Sequence, residues 1–364
     1  MGSPRLILLL LLGFFNAAAA FCAQTDDPFE QGLALHEAGK IKEAIQFYDR
    51  AIKSGANAAA AYFNRGNAYY DLGQYDRAIR DYSEVIRRNA KDAEAYYNRG
   101  NAYRRIKKDD LALKDYTAAV KLNPEEAKNY VNRGSIHFDA GRYDSAVADF
   151  SDAIRLEPAD AEVFYNRGNA YLALDKKEEA IKDYNEAIAL DPAIAEAYYN
   201  RGIAHADSGR YKDAIEDFSA VIRLDPKAAD AFYNMGLAKA RRGDHEAAVQ
   251  DYSEAMRLKP NDPEAAYNRG LSYFQLQRYD YAARDFSEVI SLRPRFAEAY
   301  VYRGVARIYQ GKDKDGDSDL QRAFQIDGGL KTKLAPMIEE AKNKARSEMQ
   351  NDSSPAPSET RPHY

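Results

Sequence analysis

The 364-residue chain carries 52 Lys and Arg against 57 Asp and Glu, a net charge of −5. Both signs are interspersed without a basic stripe or block, which argues against nucleic acid as a partner. A single cysteine excludes an intramolecular disulfide and offers no zinc-ligand spacing, so a fold outside the cytoplasm would rest on its core alone.

Residues 1 to 23 read as an address. Arg5 supplies a small positive region, Leu6 to Phe15 is an apolar run, and Ala17 to Ala20 offers small residues at a cleavage site. Ala18 and Ala20 fit the two small positions before a cut, so a signal peptide is expected over residues 1–20. The apolar run is too short for a span and ends at Asn16, so no stable membrane span is expected after processing. Cys22 follows Phe21, where a lipoprotein signal needs a small residue. The mature chain is therefore expected to be exported, periplasmic or secreted.

Beyond this segment one phrase returns: "AYFNRGNAY" from Ala61, "AYYNRGNAY" from Ala95, "VFYNRGNAY" from Val163 and "AYYNRGIAH" from Ala197. Its glycines fall at Gly66, Gly100, Gly134, Gly168, Gly202, Gly236, Gly270 and Gly304, with Gly32 one step earlier, every 34 residues without insertion. Prolines keep the same step from Pro124 to Pro294, as do small residues from Ala44 to Ala282 and aromatics from Tyr48 to Phe286. Within one unit Tyr96, Gly100 and Tyr103 share a helical face, and Ala112, Tyr116 and Ala119 share another, which predicts two amphipathic helices per unit. Gly100 and Ala112 are small so that these helices approach closely. Pro124 ends the second helix, and "GRYD" (Gly141 to Asp144) forms the turn between helices, with Asp144 as its N-cap.

A 34-residue unit with these marks resembles the tetratricopeptide repeat. The resemblance implies an all-α, right-handed superhelical solenoid of nine helix-turn-helix repeats over residues 25–330. With the glycine at position 8, the repeats are 25–58, 59–92, 93–126, 127–160, 161–194, 195–228, 229–262, 263–296 and 297–330. The first and last match least well, as terminal repeats facing water do. In the ninth, "DKDGDSD" (Asp313 to Asp319) replaces the usual turn and small residue. Next, Leu330, Leu334, Met337, Ile338, Ala341 and Ala345 form a stripe suited to a capping helix over 331–348, with Pro336 breaking or restarting it. From 349 to 364 there is no apolar periodicity, and the tail is expected to be disordered.

Position 7 is arginine in Arg65, Arg99, Arg133, Arg167, Arg201, Arg269 and Arg303, and position 23 is aspartate from Asp81 to Asp319. Pairing within each repeat leaves only Asp251 unmatched, because repeat seven has Met235. Pairing each aspartate with the following arginine would strand Arg65, Asp217 and Asp319. An Arg–Asp bridge clipping the two helices of one repeat is therefore expected.

Position 6 is asparagine: Asn64, Asn98, Asn132, Asn166, Asn200, Asn234 and Asn268. In the resemblance, positions 2, 5, 6, 9, 12 and 13 line the concave face. Two readings stand side by side. A primary amide donates to and accepts from a peptide backbone at once, and the ladder is similar to that of O-GlcNAc transferase repeats; alternatively each amide bonds the neighbouring repeat. Against the carboxylate-clamp pattern of the family the chain supplies Asn67, Asn98 and Lys128, but has Phe63 and Asn132 where two further cations belong. Position 9 is polar at Asn67, Asn101, Ser135 and Asn169, then apolar at Ile203, Leu237, Leu271 and Val305. Tyr97, Tyr165, Tyr199, Tyr233 and Tyr267 at position 5 are either recognition surface or packing between repeats.

His137 and His205 stand at position 11 among tyrosines and read as core substitutions. "DKDGDSD" has a misplaced glycine for a calcium loop, with Phe324 where the closing Glu belongs. With no nucleophile–base constellation, phosphate loop or metal spacing, no enzyme activity, cofactor or metal is expected. The expected function is a scaffold binding a partner protein's peptide or helix in the concave groove. The alternative is a self-associating structural component of the cell envelope, which sedimentation would separate from the first.

Overall fold

The computed structural model describes residues 26–55 and 57–352, with side chains described as far as residue 344. The signal segment expected over residues 1–20 and the tail from residue 353 lie outside the described residues. Every described element is an α-helix, and none is long and apolar enough to cross a membrane.

The chain divides into two compact units between Lys176 and Lys177. In the first, the helix pairs Pro28–Glu37 and Ile41–Ser54, Ala58–Asp71 and Tyr75–Arg88, Ala93–Arg105 and Asp109–Leu122, and Ala127–Asp139 and Tyr143–Leu156 precede Ala161–Ala173. The second begins with Lys177–Leu190. It continues with Ala195–Asp207 and Tyr211–Leu224, Ala229–Arg241 and His245–Leu258, Pro263–Gln275 and Tyr279–Leu292, and Ala297–Tyr309 and Asp313–Ile326. Within each unit every helix of these repeats packs on the next, so the all-α helix-turn-helix class expected from the period is the class observed.

The contact that sets helix spacing lies between position 8 and position 24. A Cβ built on Gly100 would stand 2.8 Å from the Tyr116 ring, closer than side chains tolerate, so the aromatic occupies the space a side chain would need. Tyr116 and Ala112 are fully buried as a result. Repeat nine solves the same problem differently. Leu320 replaces the aromatic, and a Cβ on Gly304 would meet the Gly316 carbonyl oxygen at 2.9 Å. Asp313 to Asp319, expected to replace the turn, lies inside the helix Asp313–Ile326; the turn is kept at Gly311, and Gly316 takes the small-residue position.

Each turn passes through a left-handed residue at position 15. Glycine supplies it at Gly39, Gly73, Gly141, Gly209, Gly243 and Gly311, whereas Lys107, Asp175 and Gln277 adopt φ of 57° with a side chain present. Asp144 does not cap the following helix. Arg142 is the N-cap and makes no capping side-chain bond, its Nε donating instead to His137 Nδ1, while Asp144 sits in the first turn, where its charge complements the helix dipole. Side-chain caps are more frequent on first helices, where Asp92, Asp160 and Asp262 each accept from backbone N–H groups two or three residues on; among second helices Asp244 accepts from the Ala247 N–H.

After repeat nine come Gly329–Lys333 and Ala335–Asp352. Leu330, Ile338 and Ala341 are buried with Val301, Val305 and Ile308, while Leu334 and Met337 pack at the edge of this cluster. Pro336 lies in the first turn of the last helix, where a missing N–H is tolerated, so the chain restarts after Leu334. The helix runs past 348 to Asp352, although no apolar stripe asks for it; Lys344 to Gln350 is rich in strong helix formers.

Replacing Lys107 by Gly is expected to stabilise the protein by about 0.5–1 kcal/mol, because the left-handed conformation disfavours a Cβ by more than glycine adds in chain entropy. Denaturant midpoints of wild type and variant check this; an unchanged or lower midpoint contradicts it.

Candidate functional site

The face that carries the repeated Asn-Arg-Gly is organised by its arginines. Arg99 Nε and Nη2 donate to Asp115 Oδ2 and Oδ1 at 2.7 and 2.8 Å. The same two-point pair joins Arg65 to Asp81, Arg133 to Asp149, Arg201 to Asp217, Arg269 to Asp285 and Arg303 to Asp319. All six lie within one repeat, as the matching of positions 7 and 23 predicts. Burial pushes the Asp81, Asp217 and Asp285 carboxyls up, and the guanidinium pulls each back down. Hydrogen bonds to Asp149 hold the Arg133 guanidinium up.

A third arm was not foreseen. Nη1 of Arg99 donates to Ser83 Oγ of the preceding repeat at 3.0 Å. Arg167 reaches Ser151, Arg201 reaches Asn185, Arg269 reaches Ser253, Arg303 reaches Ser287 and Arg65 reaches Asp49 in the same way. All these partners stand at position 25, whose run of small polar residues was the available signal. In repeat seven, where Met235 replaces the arginine, Asp251 is not left without a cation: Lys239 Nζ lies 2.7 Å from its Oδ2. Lys239 is at position 11, as is Arg307, whose Nη1 lies 2.7 Å from Asp319. His137 and His205 hold this position with Nε2 3.9 and 3.8 Å from Asp149 and Asp217, and burial lowers both imidazoles.

The asparagines divide. Asn98 Nδ2 donates to Asn67 Oδ1, and Asn132 Nδ2 donates to Asn101 Oδ1 and Tyr97 Oη. Asn234 and Asn268 donate to the hydroxyls of Tyr199 and Tyr233 at 2.8 and 3.0 Å. Asn64 instead donates to the Ala60 carbonyl in its own helix. Position 6 thus ties most repeats to the one before, with position 5 or position 9 of that repeat as its acceptor. Those tyrosines also pack on the position 24 ring, with Tyr97 and Tyr116 centroids 5.9 Å apart. Position 9 is anchored from below: the Tyr82 and Tyr116 hydroxyls donate to Asn67 and Asn101 at 2.7 Å. Tyr165, Asn169 and Asn200 are half-buried at positions 5, 9 and 6.

Asn166 differs. Repeat four has Val131 at position 5, so no phenol faces Asn166, and its amide makes no hydrogen bond among the described residues. It lines a hollow of about 370 Å³ with Asn132, Ser135, Phe138, Glu162 and Asn169, spanned by an Arg104–Asp139 ion pair of 3.0 Å. A second hollow of the same volume gathers Asn67, Asn98 and Asn101 beside Tyr70 and the His36–Asp71 pair. These linings use positions 2, 5, 6, 9, 12 and 13 within the first unit, the set the resemblance assigns to the groove. Of the clamp-like residues, Asn67 and Asn98 bond each other, and Lys128 lies 3.4 Å from Glu126 and over the Tyr97 ring.

Models of the tetratricopeptide repeat match residues 93–126, 131–195, 199–263 and 263–296, and TPR repeat models match 32–73 and 66–107. Among solved structures, the chain is similar to the C-terminal part of a TPR repeat-containing protein from Cytophaga hutchinsonii. That similarity is 22% identity over 66% of this chain and 98% of the other, with a TM-score of 0.58. It is also similar to YrrB, called a TPR protein with an unusual peptide-binding site, at 28% identity over 50% and 95%, TM-score 0.48. MamA from Desulfovibrio magneticus RS-1 is 25% identical over 46% and 95%, TM-score 0.45. No curated protein matches the chain.

Asp149→Ala leaves the Arg133 guanidinium without its carboxylate and is expected to cost about 3–5 kcal/mol, read as a lowered melting temperature. Lys239→Ala should be similarly costly in repeat seven, and adding Met235→Arg should restore most of the loss by rebuilding the pair to Asp251 and Ser219. Failure of the double variant to recover would show that Lys239 acts other than by neutralising Asp251.

Proposed function

Because the chain belongs to the tetratricopeptide repeat family, whose repeats bind protein partners, we propose that it is an exported, non-catalytic scaffold that holds an extended partner segment against the groove face of its first unit. The leader-like residues 1–20 support export, with the mature chain periplasmic or secreted. The observation that carries the binding reading is Asn166. Its amide nitrogen and oxygen are both unengaged, half-buried, and set in a hollow that has room for a peptide. An extended backbone offers one N–H and one C=O per residue, and a primary amide answers both. Asn132 adds an acceptor oxygen beside it, its nitrogen being held by Tyr97 and Asn101. The Phe138 ring at the same hollow gives an apolar side chain a place to rest.

Two asparagine variants separate recognition from architecture. Peptides selected from a display library on the full chain are expected to bind Asn166→Ala at least about tenfold more weakly, with its melting temperature unchanged. Asn234→Ala removes a bond to Tyr199 and should lower stability by about 1 kcal/mol while leaving the same peptides bound. Selected peptides that bind Asn166→Ala as tightly as wild type would overturn the proposal.

A further inference from the structure

The groove face of the second unit offers different chemistry. At position 9 stand Ile203, Leu237 and Leu271, and at position 12 Ala206, Ala240 and Phe274, all half-buried. The nitrogens of Asn234 and Asn268 are already held by Tyr199 and Tyr233. An extended strand laid here would find apolar side chains at positions 9 and 12, which offer nothing to its carbonyls. A helix satisfies its own backbone and needs only an apolar stripe from its host.

Charge narrows the partner. Position 2 is acidic in each of repeats six to nine, as Glu196, Asp230, Glu264 and Glu298. Burial first raises the phenols of Tyr199, Tyr233 and Tyr267; the carboxylates of Asp230 and Glu264 raise the first two further, and Tyr302 followed by Glu298 raises the third. Asp230 pairs with Lys259 at 3.4 Å and Glu264 with Arg293, both largely exposed pairs that an incoming cation can replace. Glu196 and Glu298 have no ion-pair partner among the described residues.

The chain supplies its own example of such an occupant. Its last helix, Ala335–Asp352, lies against the first helix of repeat nine, packing Ile338 and Ala341 with Val301, Val305 and Ile308 at positions 5, 9 and 12. That helix brings cations as well: Lys342 pairs with Asp317 at 2.6 Å, and Lys344 Nζ lies 5.5 Å above the Tyr309 ring. We propose that positions 9 and 12 of repeats six to eight, edged by the position 2 carboxylates, receive an amphipathic helix of a partner protein carrying Lys or Arg beside its apolar stripe. The proposal rests on the scaffold reading above and assigns the second unit a partner chemistry unlike that of the first.

Three labelled peptides of ~20 residues, long enough to hold a helix when rich in alanine, test it on the full chain by fluorescence anisotropy. One carries a leucine stripe flanked by lysines, one has glutamates in place of the lysines, and one has a central proline. The lysine helix is expected to bind, and each of the others to bind at least about tenfold more weakly. Leu237→Asn should weaken the lysine helix by about tenfold; it sets an amide opposite the Tyr252 phenol, as Asn101 stands opposite Tyr116, so it should fold. Glu196→Gln, at an exposed position, with Glu298→Gln, at a half-buried one, should flatten the salt dependence. Equal binding of the lysine and glutamate helices, or undiminished binding to Leu237→Asn, overturns the inference. So does a wild-type dimer in sedimentation that excludes the peptide, since a second copy's last helix would then be the occupant. Extended peptides selected on the first unit should still bind Leu237→Asn. If they do and the lysine helix does not bind wild type, only this inference fails; if neither class binds, the scaffold reading fails with it.

Discussion

A guanidinium held at two points by a carboxylate on the facing helix is the interaction on which the rest of the repeat depends. Arginine suits it because its planar fork matches a carboxylate and still leaves a donor over. In Arg99 the fork holds Asp115, and the remaining nitrogen reaches Ser83. One side chain thereby fixes both the angle between two helices and the seat of the preceding repeat. The opposite arrangement, a buried charge without a partner, is so unfavourable that repeat seven recruits Lys239 from another position once its arginine is gone.

The proposed recognition rests on residues that architecture has released. Most asparagines at position 6 are held by the repeat before them, and the tyrosines of position 5 exist in part to accept from them. Where Val131 interrupts that ladder, Asn166 is left with both halves of its amide open. The second unit takes the other course: apolar side chains replace polar ones at position 9 while the amide bonds between repeats persist. Polar and apolar grooves are thus built on one unchanged framework.

Much of this was legible in sequence because a strict period compares each position with itself. Gly100 and Ala112 announced a close helix approach, and stranded partners on one pairing scheme chose the other. What stayed hidden needed a neighbour across space. Ser83, Ser151 and Ser253 look like ordinary surface residues until the arginine of the next repeat is seen to reach them. Position 11 read as a tyrosine site with core substitutions, yet Lys239 and Arg307 show that it faces the buried aspartate. Asp144 has the composition of a cap and the place of a first-turn residue. Asp313 to Asp319 reads as loop because its acids outweigh its apolar residues, yet Arg303 and Gly304 draw Asp319 and Gly316 into a helix.

The reach of each arginine into the preceding repeat also bears on how such a chain can grow. Most repeats carry an arginine for the junction behind them and a small polar residue for the junction ahead, as Arg269 and Ser287 do on either helix of repeat eight. Duplicating or deleting 34 residues among the arginine-bearing repeats joins an arginine again to a residue of the kind it already holds. A change of any other length at a junction sets a residue of another kind opposite the arginine's third nitrogen, and one that falls between positions 7 and 23 parts a guanidinium from its carboxylate. The bonding pattern that stabilises the protein therefore also sets the only length step by which its gene can lengthen or shorten without breaking the fold.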